Sequence, residues 1–256
     1  MRNLLIVLLL PLLAYLALCA LMYFGQRSQI YFPVRESDPP GAGAIRLATG
    51  DGVDLKIWAV PRPGPRAIVY FGGNAEDVAG NLPAFTAAFP AHSLYLVNYR
   101  GYGGSSGSPS EAGLQADATA LYDHLSGLHP EISVIGRSLG SGVAVHLASI
   151  RDVHRLVLVT PFDSLVNVAR EHFRYLPVRW LMRDRYESAK RVPAVRAPTL
   201  VVIAGADEII PRARAEALVA AFPASQVRSE VLPGATHNGL DRMPQYLERI
   251  DEFLAK

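Results

Sequence analysis

The chain has 256 residues, half of them hydrophobic, which is enough to bury one large core, and its formal net charge is only +2. Because it contains no run of lysine and arginine and its aromatic residues are scattered, the sequence lacks the pattern typical of nucleic-acid binding. A single cysteine, Cys19, excludes an internal disulfide framework and a cysteine-rich metal site.

The N-terminal segment predicts a membrane anchor over residues 1–27. The stretch from Leu4 to Phe24 has no charged side chain, and as a helix it is about 30 Å long, the thickness of the hydrocarbon core of a bilayer. Arg2 and Arg27 flank this stretch, which suits the two membrane interfaces. A soluble core helix is disfavoured because the segment is apolar on all its faces.

Two other fates of this segment stay open. A secretory signal would release the domain after cleavage, although no clear A-x-A cleavage site is present. Lipidation at Cys19 fits poorly, because Leu18 precedes it where a small residue is required.

Positive charge is similar on both sides of the segment, and we expect the folded domain outside the cytoplasm.

Residues 28–43 are rich in proline, glycine and polar residues, which predicts a linker to a folded domain over residues 44–256. The domain opens with two strand-like runs, Ile45 to Thr49 and Val53 to Val60, around the turn pair Asp51-Gly52. This pattern predicts a β-hairpin.

Beyond the hairpin, short apolar runs alternate with longer segments of helical pattern. Runs that are apolar on both faces are typical of parallel strands covered by helices, so the alternation predicts an α/β fold with a mostly parallel, doubly wound sheet. Active sites in such sheets lie at the carboxyl ends of the strands. The predicted strands are Ala67 to Phe71, Ser93 to Val97, Ile132 to Ile135, Leu156 to Val159, Thr199 to Ile203 and Val227 to Leu232, and the clearest helices are Glu111 to Leu125, Leu139 to Ile150 and Arg212 to Phe222.

One motif indicates a nucleophile. Gly136-Arg137-Ser138-Leu139-Gly140 is a G-x-S-x-G sequence at the point where a predicted strand ends and a predicted helix begins. Its glycines leave room for a sharp, strained turn that presents the serine to the cleft. We therefore predict that Ser138 is the nucleophile. The alternative is a glycine-rich turn with a bystander serine.

A serine hydroxyl needs a base to take its proton and an acid to orient that base. Only one of the seven histidines, His237, follows the last predicted strand in a loop, so we predict that it is the base. The others fall on helices or on turns that lead away from the carboxyl edge of the sheet. They are His92, His124, His129, His146, His154 and His172.

Asp207 is the predicted acid, because it lies in the loop between the strand Thr199 to Ile203 and the next helix. Two alternatives stay open. Glu208 lies beside it, and Asp163 closely follows the preceding predicted strand.

An oxyanion intermediate needs backbone N–H donors. Leu139, directly after the predicted nucleophile, is the first expected donor. The second is expected from the turn Gly72-Gly73-Asn74-Ala75, with Asn74 favoured and Gly73 as the alternative. A purely structural turn is the other interpretation of these glycines.

These motifs, together with the runs from Asn98 to Glu111 and from Gly205 to Pro211, resemble the α/β-hydrolase superfamily from about Ala44 to the C-terminus. That fold uses the order Ser, Asp, His along the chain, and some members supply the acid from the position of Asp163. The chain most resembles the small, membrane-anchored branch that includes depalmitoylating thioesterases and serine-aminopeptidase-like hydrolases. That branch usually carries His-Gly-Asn where this chain has Gly72-Gly73-Asn74.

The segment from about 162 to 192 is longer than a strand or a single crossover helix requires. In the family that the chain resembles, such an insertion caps the cleft, so we expect a small lid. Trp180, Leu181 and Met182 are candidates to line an acyl pocket. An ordinary cap helix packed on the domain is the alternative.

Together these expectations describe a serine hydrolase that cleaves a carboxylic ester or thioester through an acyl-enzyme, on lipid or acylated substrates near a membrane. The expected partners are a small-molecule or acyl-chain substrate and the membrane, to which the N-terminal helix attaches the protein, and nucleic acid is not one. No cofactor or metal is expected, because no phosphate-binding loop or metal-ligand spacing occurs. A peptidase of the serine-aminopeptidase type and an inert, membrane-tethered binding module are the alternatives.

Overall fold

An N-terminal helix precedes a domain that is built on one eight-stranded sheet. The structure is a computed structural model that describes residues 2–37, 39, 43–243 and 245–256, the side chains of residues 2–8 excepted. The strands are β1 (Gly43–Ala48), β2 (Asp54–Val60), β3 (Arg66–Phe71), β4 (Ser93–Val97), β5 (Glu131–Arg137), β6 (Leu156–Val159), β7 (Thr199–Ala204) and β8 (Val227–Leu232). The helices are α1 (Arg2–Ile30), α2 (Leu82–Ala88), α3 (Glu111–Ser126), α4 (Leu139–Ile150), α5 (Leu165–His172), α6 (Val178–Leu181), α7 (Ser188–Arg191), α8 (Arg212–Val219) and α9 (Gln245–Leu254).

The strands lie in the order β1-β2-β4-β3-β5-β6-β7-β8. Strand β2 pairs antiparallel with β1 and β4, whereas every pair from β4 to β8 across the sheet is parallel. The predicted hairpin and the predicted mostly parallel, doubly wound sheet are both confirmed.

Apolar side chains cover both faces of the sheet. In β3, Ile68 and Tyr70 pack in one core cluster with residues of α2 such as Phe85. Val69, between them, packs in the other cluster with residues of α3 such as Leu121. Because successive side chains of a strand point to opposite faces, a strand with helices on both sides must be apolar throughout.

Helices α2 and α8 of the domain differ from the sequence predictions. Helix α2 was not predicted, because it is only seven residues long. Its second residue is Pro83, whose ring is compatible with the first turn of a helix. Helix α8 ends at Val219, before the predicted end at Phe222, since the amide of Phe222 forms a tight turn with the carbonyl oxygen of Val219.

Helix α1 is long and apolar enough over Leu9–Ile30 to cross a membrane. It ends at Ile30, beyond residue 27, where the sequence placed the end of the anchor. Tyr31, which the sequence assigned to the linker, is only 3% exposed and belongs to the core of the domain. The start of the predicted linker therefore packs on the domain, and residues 38 and 40–42 of that linker lie outside the described residues.

The segment between β6 and β7 contains α5, α6, α7 and a short 3₁₀ helix over Val192–Ala194. We call this segment the cap. Helix α6 contacts α1, and α7 contacts α4 and α8. The cap therefore joins the N-terminal helix to the domain, next to the helix that follows β5.

Candidate active site

The turn between β5 and α4, here called the serine elbow (Gly136 to Gly140), holds Ser138 in a strained conformation. Its φ is +50° and its ψ is −115°, which costs a non-glycine residue on the order of 1–3 kcal/mol. The Ser138 amide donates to the carbonyl oxygen of Val159 in β6 at 2.9 Å. The elbow therefore carries the serine at the carboxyl edge of the sheet.

The glycines of the elbow are required because no Cβ fits there. At Gly140 a Cβ would meet the carbonyl oxygen of Phe71 and lie 2.6 Å from that of Gly72. At Gly136 a Cβ would lie 2.6 Å from the Cβ of Ala144. The neighbours of Gly140 are main-chain atoms, which cannot rotate away as the end of a side chain can.

Ser138 is the first of three side chains that form a hydrogen-bonded chain. Its Oγ lies 3.0 Å from Nε2 of His237, and Nδ1 of His237 lies 2.8 Å from Oδ2 of Asp207. The amides of Ile209 and Ile210 donate to the other carboxylate oxygen of Asp207 at 2.9 and 2.7 Å. The side chains of His237 and Asp207 are 5% and 3% exposed, so water has little access to these bonds. Such a chain can move a proton from a serine hydroxyl to an imidazole.

The two alternative acids bind other groups. Glu208 accepts a hydrogen bond from the backbone amide of His237 at 3.0 Å. Asp163 accepts one from Asn167 at 2.5 Å and forms an ion pair with Arg214 at 3.3 Å. Of the three candidate acids, Asp207 is the one that reaches the imidazole ring.

One of the histidines set aside on sequence grounds lies near this group. His172, at the end of α5, lines the same cavity as Ser138, and its Nε2 lies 3.4 Å from the carbonyl oxygen of Ile209. The sequence placed it away from the site, because it does not reveal that the cap folds back over the carboxyl edge of the sheet. Its side chain is exposed, and the imidazole that contacts Ser138 is that of His237.

The turn after β3, Gly72-Gly73-Asn74-Ala75, lies against the elbow and is here called the glycine turn. A Cβ on Gly73 would lie 3.6 Å from that of Ser138. The Gly73 amide donates to the carboxylate of Glu76 at 2.5 Å, and its role as the alternative oxyanion donor stays a prediction. Asn74 and Leu139 both line the cavity beside the serine. Leu139 begins α4, whose first amides have no partner within the helix.

Distant side chains hold the glycine turn. Tyr99 donates to the carbonyl oxygen of Gly72 at 2.7 Å, and Tyr102 donates to Oδ1 of Asn74 at 2.9 Å. Asn74 in turn donates through Nδ2 to the carbonyl oxygen of Ile30, the last residue of α1, at 2.6 Å. Burial raises the pKa of Tyr102 to about 12 and the pKa of Tyr99 well above its ordinary value, so both hydroxyls keep their protons at neutral pH.

Glu76 links the glycine turn to the serine elbow. Its Oε1 accepts hydrogen bonds from Tyr70 and Asn81, both at 2.6 Å. Its Oε2 pairs with Arg137 of the elbow at 3.1 Å, and Arg137 also donates to the carbonyl oxygen of His237 at 3.2 Å. The side chains of Arg137 and Glu76 are 17% and 11% exposed, so water screens this pair only weakly.

Burial, and next the charge of Glu76, raise the pKa of Tyr70 well above its ordinary value, so Tyr70 remains a neutral donor to that carboxylate. The sequence did not reveal the roles of Glu76 and Arg137. They lie 61 residues apart, and the one available signal was a charged residue at the carboxyl end of β5, within the G-x-S-x-G motif.

An apolar cavity of about 360 Å³ lies beside Ser138. Residues of the cap such as Phe173 and Leu176 line one part of it, and Met22 and Ile30 of α1 line another. Its volume falls within the range of about 300–1,000 Å³ that is usual for small-molecule sites.

Two of the three cap residues proposed for an acyl pocket, Leu181 and Met182, line this cavity. The expectation that Trp180 also lines it was wrong, because Trp180 is 86% exposed and lies outside the lining of the cavity. Among the residues that the structure describes, no group of three or more histidine, cysteine or carboxylate side chains is placed to hold a metal ion.

Comparison with known proteins finds similar chains and similar folds. An uncharacterized protein of Mycobacterium tuberculosis is 40% identical over 249 residues, which cover 90% of this chain and 88% of that protein. The alpha/beta hydrolase domain-containing protein aho-3 of Caenorhabditis elegans is 34% identical over 233 residues, which cover 87% of this chain and 68% of that protein. The solved structure of an esterase from Pyrococcus furiosus, Pf2001, matches with a TM-score of 0.72 at 18% identity over 88% of this chain and 95% of its own, which shows a shared fold. No family model matches the chain.

Proposed function

The chain belongs to the α/β-hydrolase domain-containing family, and from this premise we propose that it is a serine hydrolase that cleaves carboxylic esters or thioesters. The observation that carries the proposal is the hydrogen-bonded chain from Ser138 through His237 to Asp207, with distances of 3.0 and 2.8 Å. Ser138 is the nucleophile, His237 is the general base and acid, and Asp207 orients the imidazole.

In the first half of the reaction, Oγ of Ser138 attacks the acyl carbon while Nε2 of His237 takes the hydroxyl proton. Asp207, which binds Nδ1, keeps the ring in the tautomer that leaves Nε2 free to accept this proton and stabilises the imidazolium that forms. The backbone N–H groups of Leu139 and Asn74 stabilise the oxyanion. His237 then protonates the departing alkoxide or thiolate, and the acyl group remains as an ester of the serine.

In the second half, a water molecule takes the place of the leaving group. His237 removes a proton from this water as it attacks the acyl-enzyme, and the same donors stabilise the second oxyanion. The imidazolium then returns its proton to Ser138, which releases a carboxylic acid and restores the enzyme. The residues named supply each proton transfer.

The apolar lining of the cavity beside Ser138 supports an acyl chain as the part of the substrate that is bound. Because the cavity is lined by apolar side chains such as Leu165 and Val168, it favours a hydrocarbon chain over a polar peptide. We propose that α1 anchors the domain to a membrane, where acylated lipids and proteins are concentrated. Relatives and neighbours that are named hydrolase or esterase are consistent with this chemistry.

Labelling of the full-length chain in detergent with a fluorophosphonate probe tests the proposal. We expect the wild type to label and Ser138→Ala to lose the label, because the probe needs an activated serine. His237→Ala should lose it as well. Ser149→Ala is the matched control, since Ser149 lies on the same helix, α4, and donates only to the carbonyl oxygen of His146.

The same four proteins are then assayed on nitrophenyl esters, on the matching thioesters and on an aminoacyl amide. Turnover that depends on Ser138 and is restricted to esters or thioesters supports the proposal, whereas preferred cleavage of the amide would favour the peptidase. A folded wild-type chain that neither labels nor cleaves any of these substrates would overturn the proposal and favour a binding module.

A further inference from the structure

The cavity beside Ser138 is bounded by the N-terminal helix as well as by the domain. Met22, Gln26, Gln29 and Ile30 of α1 all contribute to its lining. Ile30 lies at the catalytic end, since its carbonyl oxygen accepts a hydrogen bond from Asn74. Met22 lies eight residues earlier, or about 12 Å along a helix, so the cavity extends from the serine along the last two turns of α1.

Specific polar contacts fix this helix on the cap. Gln26 donates to the carbonyl oxygen of Leu181 at 3.0 Å and accepts from the amide of Arg183 at 2.7 Å. Arg27 forms an ion pair at 3.0 Å with Asp184, whose side chain is only 5% exposed. Loss of Arg27 would leave the buried carboxylate of Asp184 without its charged partner, so this contact helps to hold α1 as a wall of the cavity.

The contact between the helix and the cap continues along α1 towards its N-terminus. Tyr15 donates from its hydroxyl to the carbonyl oxygen of Tyr175 at 3.0 Å, halfway along α1. Tyr15 lies within Leu9–Ile30, the part of α1 that is long and apolar enough to cross a membrane. If α1 crosses a bilayer, the cap beside Tyr15 must therefore lie at the level of the membrane.

The surface of the cap fits this position. Tyr175 is 92% exposed and Trp180 is 86% exposed, and both aromatic types are enriched where a protein meets the membrane interface. Arg179 lies next to Trp180 in the chain, and an arginine at this level can extend its charged group towards the headgroups.

We propose that the last two turns of α1 form one wall of the acyl-binding cavity, so that the acyl chain of the substrate lies along the helix with its carbonyl carbon at Ser138 and its tail towards the membrane. This inference rests on the proposed function. It makes Met22 a residue that determines which chain lengths are accepted, and it makes the membrane the side from which the chain enters.

The test compares two substitutions on adjacent residues of α1. Met22 lines the cavity, whereas Leu21 is 69% exposed on another face of the helix. Full-length wild type, Met22→Trp and Leu21→Trp in phospholipid nanodiscs are assayed for kcat/KM on nitrophenyl esters from acetyl to palmitoyl. Met22→Trp should lower kcat/KM for the palmitoyl ester by about tenfold or more relative to kcat/KM for the acetyl ester, because the indole shortens the cavity. Leu21→Trp should keep the wild-type profile.

A second substitution covers the case in which the tryptophan disturbs the packing of the helix. Met22→Ala lengthens the cavity, so we expect its preference to shift towards longer chains. Unchanged chain-length profiles in both Met22 variants, with acetyl ester turnover intact, would overturn the inference and leave the proposed function standing. Absence of turnover at every chain length would overturn both.

The direction in which the acyl chain enters can be tested by a measurement that does not depend on activity. The chain contains two tryptophans, Trp58, which is 2% exposed in the domain, and Trp180. Brominated phospholipids in the nanodisc should quench the tryptophan fluorescence of the wild type and leave that of Trp180→Phe nearly unquenched. Equal quenching of the two proteins, or none in either, would mean that the cap does not meet the lipid and would contradict entry from the membrane.

Discussion

The serine elbow and the glycine turn are neighbours at the carboxyl edge of the sheet, yet they are held in different ways. In the elbow, the conformation of Ser138 depends on glycines within two residues of it, because main-chain atoms occupy the space around them. In the glycine turn, the conformation depends on Tyr99, Tyr102 and Glu76, none of which belongs to the turn itself.

This difference decides how each region should respond to substitution. A short motif whose glycines are surrounded by main-chain atoms does not tolerate an added Cβ, because the neighbouring backbone would have to move. A turn that is held by several side-chain hydrogen bonds should lose its function in steps as each contact is removed, because each bond contributes separately.

Gly140→Ala should have the largest effect. The new Cβ would lie against the carbonyl oxygens of Phe71 and Gly72, so either the elbow or β3 must move. We expect the free energy of unfolding to fall by about 3 kcal/mol or more, and we expect fluorophosphonate labelling to be lost. Thermal unfolding and labelling kinetics of the full-length chain measure the two effects.

Gly127→Ala is the matched control for Gly140→Ala. A Cβ at Gly127 would meet nothing within 4 Å, and the residue follows α3 with an ordinary φ of −75°. Its stability and labelling should stay close to those of the wild type. An elbow that accepted alanine at Gly140 with unchanged labelling would contradict the steric explanation.

Glu76→Gln should have the next largest effect, because this carboxylate accepts hydrogen bonds from Gly73, Tyr70 and Asn81 and pairs with Arg137. Glutamine keeps the size but loses the charge, so we expect a loss of about 2 kcal/mol in stability. We also expect kcat to fall by about tenfold while KM changes little, since Glu76 positions the turn and the elbow and does not contact the substrate.

Asp77→Asn serves as the control for Glu76→Gln, since Asp77 accepts hydrogen bonds from Ala79 and Ser37 and asparagine also serves well as a helix cap. Its kcat should be that of the wild type. If Glu76→Gln raised KM and left kcat unchanged, the proposed positioning role would be wrong.

The two regions also differ in how far the sequence predicted them. The bounds of α4 and β6 and the location of the elbow followed from the sequence, because a G-x-S-x-G motif and a continuous apolar run depend on nearby residues. The prediction that Asn74 and His237 lie near Ser138 followed from the rule that loops after parallel strands meet at one edge of a sheet.

What the sequence did not predict depends on contacts between distant segments. Arg137 occupies a variable position of the motif, and nothing near it in the chain indicates that it binds both Glu76 and the carbonyl oxygen of His237. The packing of Tyr31 on the domain was missed for the same reason. Its hydroxyl binds Asp184 and Tyr186 of the cap, more than 150 residues away.

Gly72→Ala provides a direct contrast with Gly140→Ala. A Cβ at Gly72 would lie 2.6 Å from Cγ1 of Val78, which is a side-chain atom that can be removed. We expect Gly72→Ala to lower the free energy of unfolding by about 1 kcal/mol. In the double variant, Val78→Ala should restore part of this loss, because it removes the side chain that the new Cβ would meet. Denaturant unfolding of the two single variants and the double variant gives the interaction energy, and a strictly additive result would mean that this contact does not limit the turn.

The smallest effect is expected from Tyr102→Phe, which removes the hydrogen bond to Oδ1 of Asn74 and leaves the packing of the ring. The same oxygen still accepts from the amides of Phe32 and Ala75, so we expect a loss of only about 0.5 kcal/mol in stability. We expect kcat to fall a few-fold, because the donor on Asn74 is held less firmly. Tyr122→Phe, which removes an exposed bond to Asp152 far from the site, should leave kcat unchanged. If the two variants had the same kcat, side-chain contacts would not hold the glycine turn in its active geometry, and the contrast with the elbow would fail.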